Sequence, residues 1–105
     1  MDVKNFFGNI PKILPEELIE EIYSSPDFKI ERIISDGHSS PKDFWYDQDK
    51  NEFVFLVSGS AELMFEDGKS VELHPGDYLI IPAHKKHRVE KTDCLQKTFW
   101  LTVFY

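Results

Sequence analysis

Two residues of this 105-residue chain combine a reactive side chain with a position that could use it. Glu52 stands directly before the apolar run Phe53–Val57. A period of two places Glu52, Val54 and Leu56 on one face of a strand. If that face is an interior, the carboxylate needs a partner or a metal. If it is not, Glu52 is a strand-edge charge in solvent, the usual fate of a glutamate. His87 closes the segment Pro82-Ala83-His84-Lys85-Lys86-His87. Two histidines three apart, just past a strand and a proline, could set an imidazole at a pocket rim, and neutral imidazole is the commonest protein metal ligand. The alternative is two surface histidines beside two lysines.

A third group is Trp45-Tyr46-Asp47-Gln48. Flat aromatics mixed with a carboxylate and an amide suit a small-molecule site, where a few polar groups orient a ligand on apolar walls. A loop whose aromatics close one end of a fold gives the same pattern. Cys94 has no activating partner near it in sequence. No Ser-His-Asp arrangement, phosphate loop or dinucleotide fingerprint is present.

The elements that must hold these residues are mostly strands. Pro15 to Ser24 reads as one short helix. Proline suits the first helical position, Glu16 and Glu17 suit the positive end of the dipole, and Leu18, Ile19 and Ile22 share a helical face. From Phe28 onward the period is two. Phe28 to Ile34, Phe53 to Val57, Ala61 to Phe65, Val71 to Leu73, Tyr78 to Ile81, a strand starting at Arg88-Val89, and Lys97 to Tyr105 read as strands. Asp36-Gly37, Ser58-Gly59-Ser60, Asp67-Gly68 and Pro75-Gly76-Asp77 punctuate them. Many short strands with frequent turns imply an all-β sandwich or barrel. The last strand is apolar on both faces, with Phe99, Leu101, Val103 and Tyr105 on one and Trp100 and Phe104 on the other. Something must cover its outer face: the N-terminal helix or a second subunit. A homodimer using these outer faces is expected.

Composition sets the limits. One domain fits the length. With 41% apolar residues the chain should fold rather than stay disordered. The net charge of −7 argues against nucleic acid, which needs a basic face, and against an anionic membrane surface. A single cysteine fits a reducing compartment, and Met1 to Pro11 has no apolar run, so a cytoplasmic location is expected.

The spacing of these features resembles the cupin superfamily. In its first motif a glutamate follows histidine-x-histidine by three or four residues and precedes a glycine by six; Glu52 and Gly59 have that separation. In its second, glycine, five residues, proline-x-glycine, two residues and histidine follow in order, matched by Gly76, Pro82 and His87. The likeness is closest to small single-domain cupins carrying Trp-Tyr-Asp-Gln, a group to which no single activity attaches. It implies a small jelly-roll β-barrel over residues 28–105, preceded by an arm and short helix over residues 1–27. The family's metal ligands carry over only onto Glu52 and His87. The two histidines of the first motif are replaced by Tyr46 and Gln48 at one spacing, or by Trp45 and Asp47 at the other. His84 stands where the second motif has glycine.

The resemblance therefore implies a divalent metal (zinc, nickel, manganese or iron) on Glu52 and His87, with Gln48 as the first candidate for a third ligand and Asp47 or His84 as alternatives. Tyr46, Asp47, His84 and Arg88 would line or flank the pocket with Trp45. Fewer imidazoles than usual make oxygenase chemistry a poor match. Two other readings stay open: a metal-free metabolite-binding module, and an interaction protein working through its outer strands. Whether the chain is an enzyme is left undecided at this level, since one fold hosts many functions.

Overall fold

The computed structural model describes residues 1–105. It contains eight strands and no helix: β1 (Leu18–Ser24), β2 (Lys29–Ser35), β3 (Glu52–Ser58), β4 (Ala61–Phe65), β5 (Ser70–Leu73), β6 (Tyr78–Ile81), β7 (His87–Thr92) and β8 (Thr98–Phe104). They form two antiparallel sheets, ordered β1-β2-β8-β3-β6 and β5-β4-β7. Alternation builds the interior. Val54, Leu56, Ala61, Leu63, Phe65, Leu73, Ile81 and Trp100 meet between the sheets as one buried cluster. This is an all-β jelly roll, as the strand pattern implied.

The helix expected over Pro15–Ser24 is a strand instead. Residues Leu18 to Ser24 pair antiparallel with β2, with a bulge at Ile22. A helix of ten residues has little stability of its own. The open edge of β2 offers the same backbone a full set of partners, and Ile19, Ile22 and Tyr23 suit a pleated edge. In this register Leu18 and Glu20 face outward and Ile19 faces inward. The helical spacing of Leu18, Ile19 and Ile22 was compatible with either element.

Ahead of β1 the chain lies across the outer face of the larger sheet. Leu14 buries Ile34 and Phe99 there, with Phe6, Ile10, Leu18 and Val57 packed around them. Arg32 ties the arm down: Nη1 donates to the carbonyls of Phe6 at 2.8 Å and Gly8 at 2.7 Å, and Nε donates to Glu20 Oε1 at 2.7 Å. The arm covers one end of the outer face. At the other, Tyr78 and Ile80 remain exposed beside Phe53, Phe55, Leu101 and Val103.

Candidate functional site: a carboxylate–imidazole pair in the barrel cavity

Between the sheets, beyond the apolar core, lies an open cavity of about 600 Å³. Tyr46, Gln48, Glu52 and His87 all line it. Glu52 is the first inward residue of β3, between Ile81 of β6 and Phe104 of β8. His87 is the first residue of β7, opposite Phe65 of β4. Both are buried, with 7% and 5% of their surfaces exposed. The charge of Glu52 is thus an interior one.

Their geometry fixes what must lie between them. His87 Nδ1 lies 2.9 Å from the carbonyl oxygen of Lys85. A carbonyl only accepts, so Nδ1 carries the proton and, in the neutral ring, Nε2 carries a lone pair. Nε2 lies 3.3 Å from Glu52 Oε1. That distance is long for a charge-assisted hydrogen bond, and Oε1 is buried with no other partner. Two lone pairs facing each other out of water need a cation between them: a proton shared by Nε2 and the carboxyl, or a metal. Burial pulls the His87 pKa down, but the Glu52 hydrogen bond, the Lys85 carbonyl and the Glu52 charge outweigh it, and the net shift is upward from 6.5.

A metal also fits the spacing. Two donors each about 2.0–2.1 Å from one tetrahedral ion stand about 3.3 Å apart. No third His, Cys, Asp or Glu joins the pair to complete a cage. The residues therefore fit an open site with two protein anchors, its remaining positions left to Gln48, solvent or ligand oxygens.

The Trp45–Gln48 segment is sorted by register. Tyr46 forms an isolated bridge with His87, their backbones exchanging hydrogen bonds of 2.7 and 3.2 Å. The Tyr46 ring stacks on the imidazole with centroids 5.5 Å apart. Burial first, then the charges of Glu17 and Glu52, raise its pKa above 10.0, so Tyr46 stays a neutral phenol. Alternation then turns Gln48 to the cavity with Tyr46, and Trp45 and Asp47 away from it.

Four of the expected pocket residues thus lie outside the cavity wall. Trp45 stacks under the Arg88 guanidinium, 4.7 Å from its ring centroid. Arg88 also donates to Glu90 at 3.1 Å. Asp47 accepts from or pairs with His84 Nδ1 at 2.8 Å, on the exposed rim. His84 itself has φ of 65°, the left-handed conformation that glycine, its counterpart in the family motif, adopts without strain.

Glu17 and Thr102 are among the cavity residues that sequence did not single out. Glu17 comes from the arm, where it was read as a helix-dipole residue; its Oε2 accepts from Ser35 Oγ at 2.6 Å, and Ser35 accepts from Trp100 Nε1 at 3.1 Å. Thr102 sits between Trp100 and Phe104 on the inner face of β8. Its signal was present: a hydroxyl between the two aromatics Trp100 and Phe104 on the inward stripe.

Known proteins are similar to this chain in fold. A protein of Ralstonia eutropha JMP134, provisionally named a mannose-6-phosphate isomerase, is 41% identical, covering 99% of this chain and 97% of its own, with a TM-score of 0.93. A cupin superfamily protein of Desulfitobacterium hafniense DCB-2 is 21% identical over 90% of this chain and 82% of its own, with a TM-score of 0.74. KdgF of Halomonas sp. is 18% identical over 90% and 83%, with a TM-score of 0.71. The last two share the fold. No curated protein matches the chain. The Cupin domain family matches residues 32–104, which span β8 and every strand that carries Glu52 and His87. With that match, the jelly-roll topology and the inward carboxylate and imidazole of its two motifs, this chain belongs to the cupin family.

Proposed function

We propose that this cupin binds a small organic molecule in the barrel cavity, against a divalent cation held by Glu52 and His87 with Gln48 beside them. The observation that carries this reading is the facing of His87 Nε2 and Glu52 Oε1 across 3.3 Å with Nδ1 already committed to a carbonyl. A bound cation would act as a Lewis acid on a ligand carbonyl or hydroxyl. The protein's own part is to keep His87 in the Nδ1–H tautomer and to shield the site with Val54, Ile81 and Trp100. Elemental analysis of protein purified without an affinity metal or chelator tests it. Near-stoichiometric zinc, nickel, manganese or iron, lost in Glu52→Gln and in His87→Ala, is expected. A wild type that takes up none of the four after soaking refutes the cation.

The relationship to the Ralstonia protein favours a second use of the same pair, as acid and base in aldose–ketose isomerisation. Glu52 would take the proton from the carbon beside the carbonyl. Its bonding electrons would form an enediol as His87 protonates the carbonyl oxygen. Return of the proton to the former carbonyl carbon, with loss of the other hydroxyl proton, would complete the transfer without oxidation. Mannose 6-phosphate incubated in D2O would then incorporate deuterium at carbon 2 with chelator present. Activity abolished by chelator points to the first reading; no exchange under either condition removes isomerisation.

We further propose that a second copy of this chain covers the free end of the outer face. Phe53, Phe55 and Tyr78 stack there, with centroids 5.7 to 6.5 Å apart, and Ile80, Leu101 and Val103 extend the patch. None of the six is charged, and a twofold axis lays one such face on its equal.

A further inference from the structure

Only four buried residues of this chain are hydroxyl-bearing: Ser35, Thr92, Thr98 and Thr102. Three are satisfied inside the protein. Ser35 bonds Glu17 and Trp100. Thr92 Oγ1 donates to the carbonyl of His38 at 2.7 Å, and Thr98 Oγ1 to that of Ser60 at 3.2 Å. Thr102, with 1% of its surface exposed, has no partner for Oγ1. An orphaned buried hydroxyl is costly, and a sheet can avoid the cost by placing valine there with the same shape.

The orphan's location gives it a use. Thr102 lines the same cavity as Glu52, and Glu52 Oε1 and Thr102 Oγ1 are the two buried side-chain polar atoms without a partner. β3 and β8 pair so that Glu52 lies opposite Phe104 and Thr102 opposite Val54. Glu52 and Thr102 are therefore diagonal neighbours on one inner face, with backbones about 7–8 Å apart. Trp100 and Phe104 flank Thr102 on the same stripe. A carboxylate, a hydroxyl and aromatic faces together match a ligand with hydroxyls on one side and C–H groups on the other.

We propose that Thr102 is a ligand-binding residue, its Oγ1 hydrogen-bonding one hydroxyl of a polyol- or aldose-like molecule while a neighbouring oxygen of that molecule lies at Glu52. The inference rests on the reading of the cavity as a small-molecule site and names the ligand class for it. Nothing in the packing of β8 needs the hydroxyl, so its role is separable from the fold.

Titration calorimetry with D-mannose, D-mannose 6-phosphate and D-mannitol, each with and without manganese, and with succinate as a probe lacking hydroxyls, tests it. The proteins are wild type, Thr102→Val, Thr102→Ser and Glu52→Gln. Expected is binding of at least one hydroxylated probe and not of succinate, about tenfold weaker in Thr102→Val and restored in Thr102→Ser. Thr102→Val without ligand should melt no lower than wild type. Equal affinity in wild type and Thr102→Val overturns the role of Thr102 and leaves the cavity reading intact. Failure of every hydroxylated probe, with manganese still binding in wild type and not in Glu52→Gln, overturns the ligand class and leaves the cation. Binding of neither probe nor manganese removes both.

Discussion

His87 Nε2 faces Glu52 Oε1 across 3.3 Å, while its Nδ1 is held by the Lys85 carbonyl 2.9 Å away. One imidazole thus stands between a carbonyl that only accepts and a carboxyl oxygen with no other partner. Without metal, the pair is satisfied by one proton shared between Nε2 and Oε1. With metal, it requires the neutral ring.

Stability should therefore depend on pH in opposite senses with and without metal. The folded pKa of His87 lies above its ordinary value of 6.5. The stabilisation from its proton is full below about pH 6.5 and is lost as pH rises through the folded pKa. In chelator, the melting temperature of wild type minus that of Glu52→Gln should fall over that window. With zinc or manganese it should rise, because protons compete with the metal for Nε2. A difference flat with pH in chelator would show that the pair does not share a proton.

Removing one partner should cost more than neutralising it. His87→Ala leaves the Glu52 charge buried and unpaired, a loss of about 3–5 kcal/mol in metal-free protein. Glu52→Gln keeps an acceptor beside Nε2 and should cost about 1 kcal/mol. Urea denaturation in chelator compares them, and equal losses would mean that the carboxylate charge plays no part.

Gly59 should tolerate no side chain. Its φ is 89°, and a Cβ there would stand 2.3 Å from Thr98 Oγ1 and 2.6 Å from Thr98 Cα. The second contact is backbone and cannot rotate away. Gly59→Ala should lose about 3 kcal/mol or more, or fail to fold; a loss under about 1 kcal/mol would show that β8 can retreat.

His84→Gly should be neutral or stabilising by up to about 1 kcal/mol. Glycine relieves the left-handed strain at φ 65° at some cost in chain entropy. The side chain given up makes an exposed pair with Asp47, which contributes little. Thermal melting measures this, and a marked loss would show that the Asp47–His84 pair holds the rim.

Light scattering after sizing should give twice the chain mass for wild type and the single mass for Tyr78→Glu, which sets a charge in the uncovered patch. Each copy carries a net charge of −7, so added salt should tighten the association by screening. A monomeric wild type would remove the homodimer.

Much of this molecule was legible in its sequence. The alternation of Ala61, Leu63 and Phe65 and the glycine turns define strands because side chains on a pleat must alternate between core and solvent. The separations Glu52–Gly59 and Gly76–His87 match the spacing of the two motifs, although the first lacks its histidines and the second the glycine of its proline-x-glycine. Glu52 and His87 stood out in the local pattern and match those motifs, though nothing local said that either was buried.

Three features were decided only by tertiary contact. Leu18, Ile19 and Ile22 are spaced for either a helix face or an edge strand, and the free edge of β2 chose the strand. Trp45 to Gln48 can turn either pair inward, and the bridge between Tyr46 and His87 chose Tyr46 and Gln48. Thr102 is one of two hydroxyls in an otherwise apolar strand, and that its neighbours, unlike those of Thr98, offer it no partner is a property of the cavity. Local pattern sets which faces a strand has; which face is buried, and what it meets there, depends on strands distant in the chain.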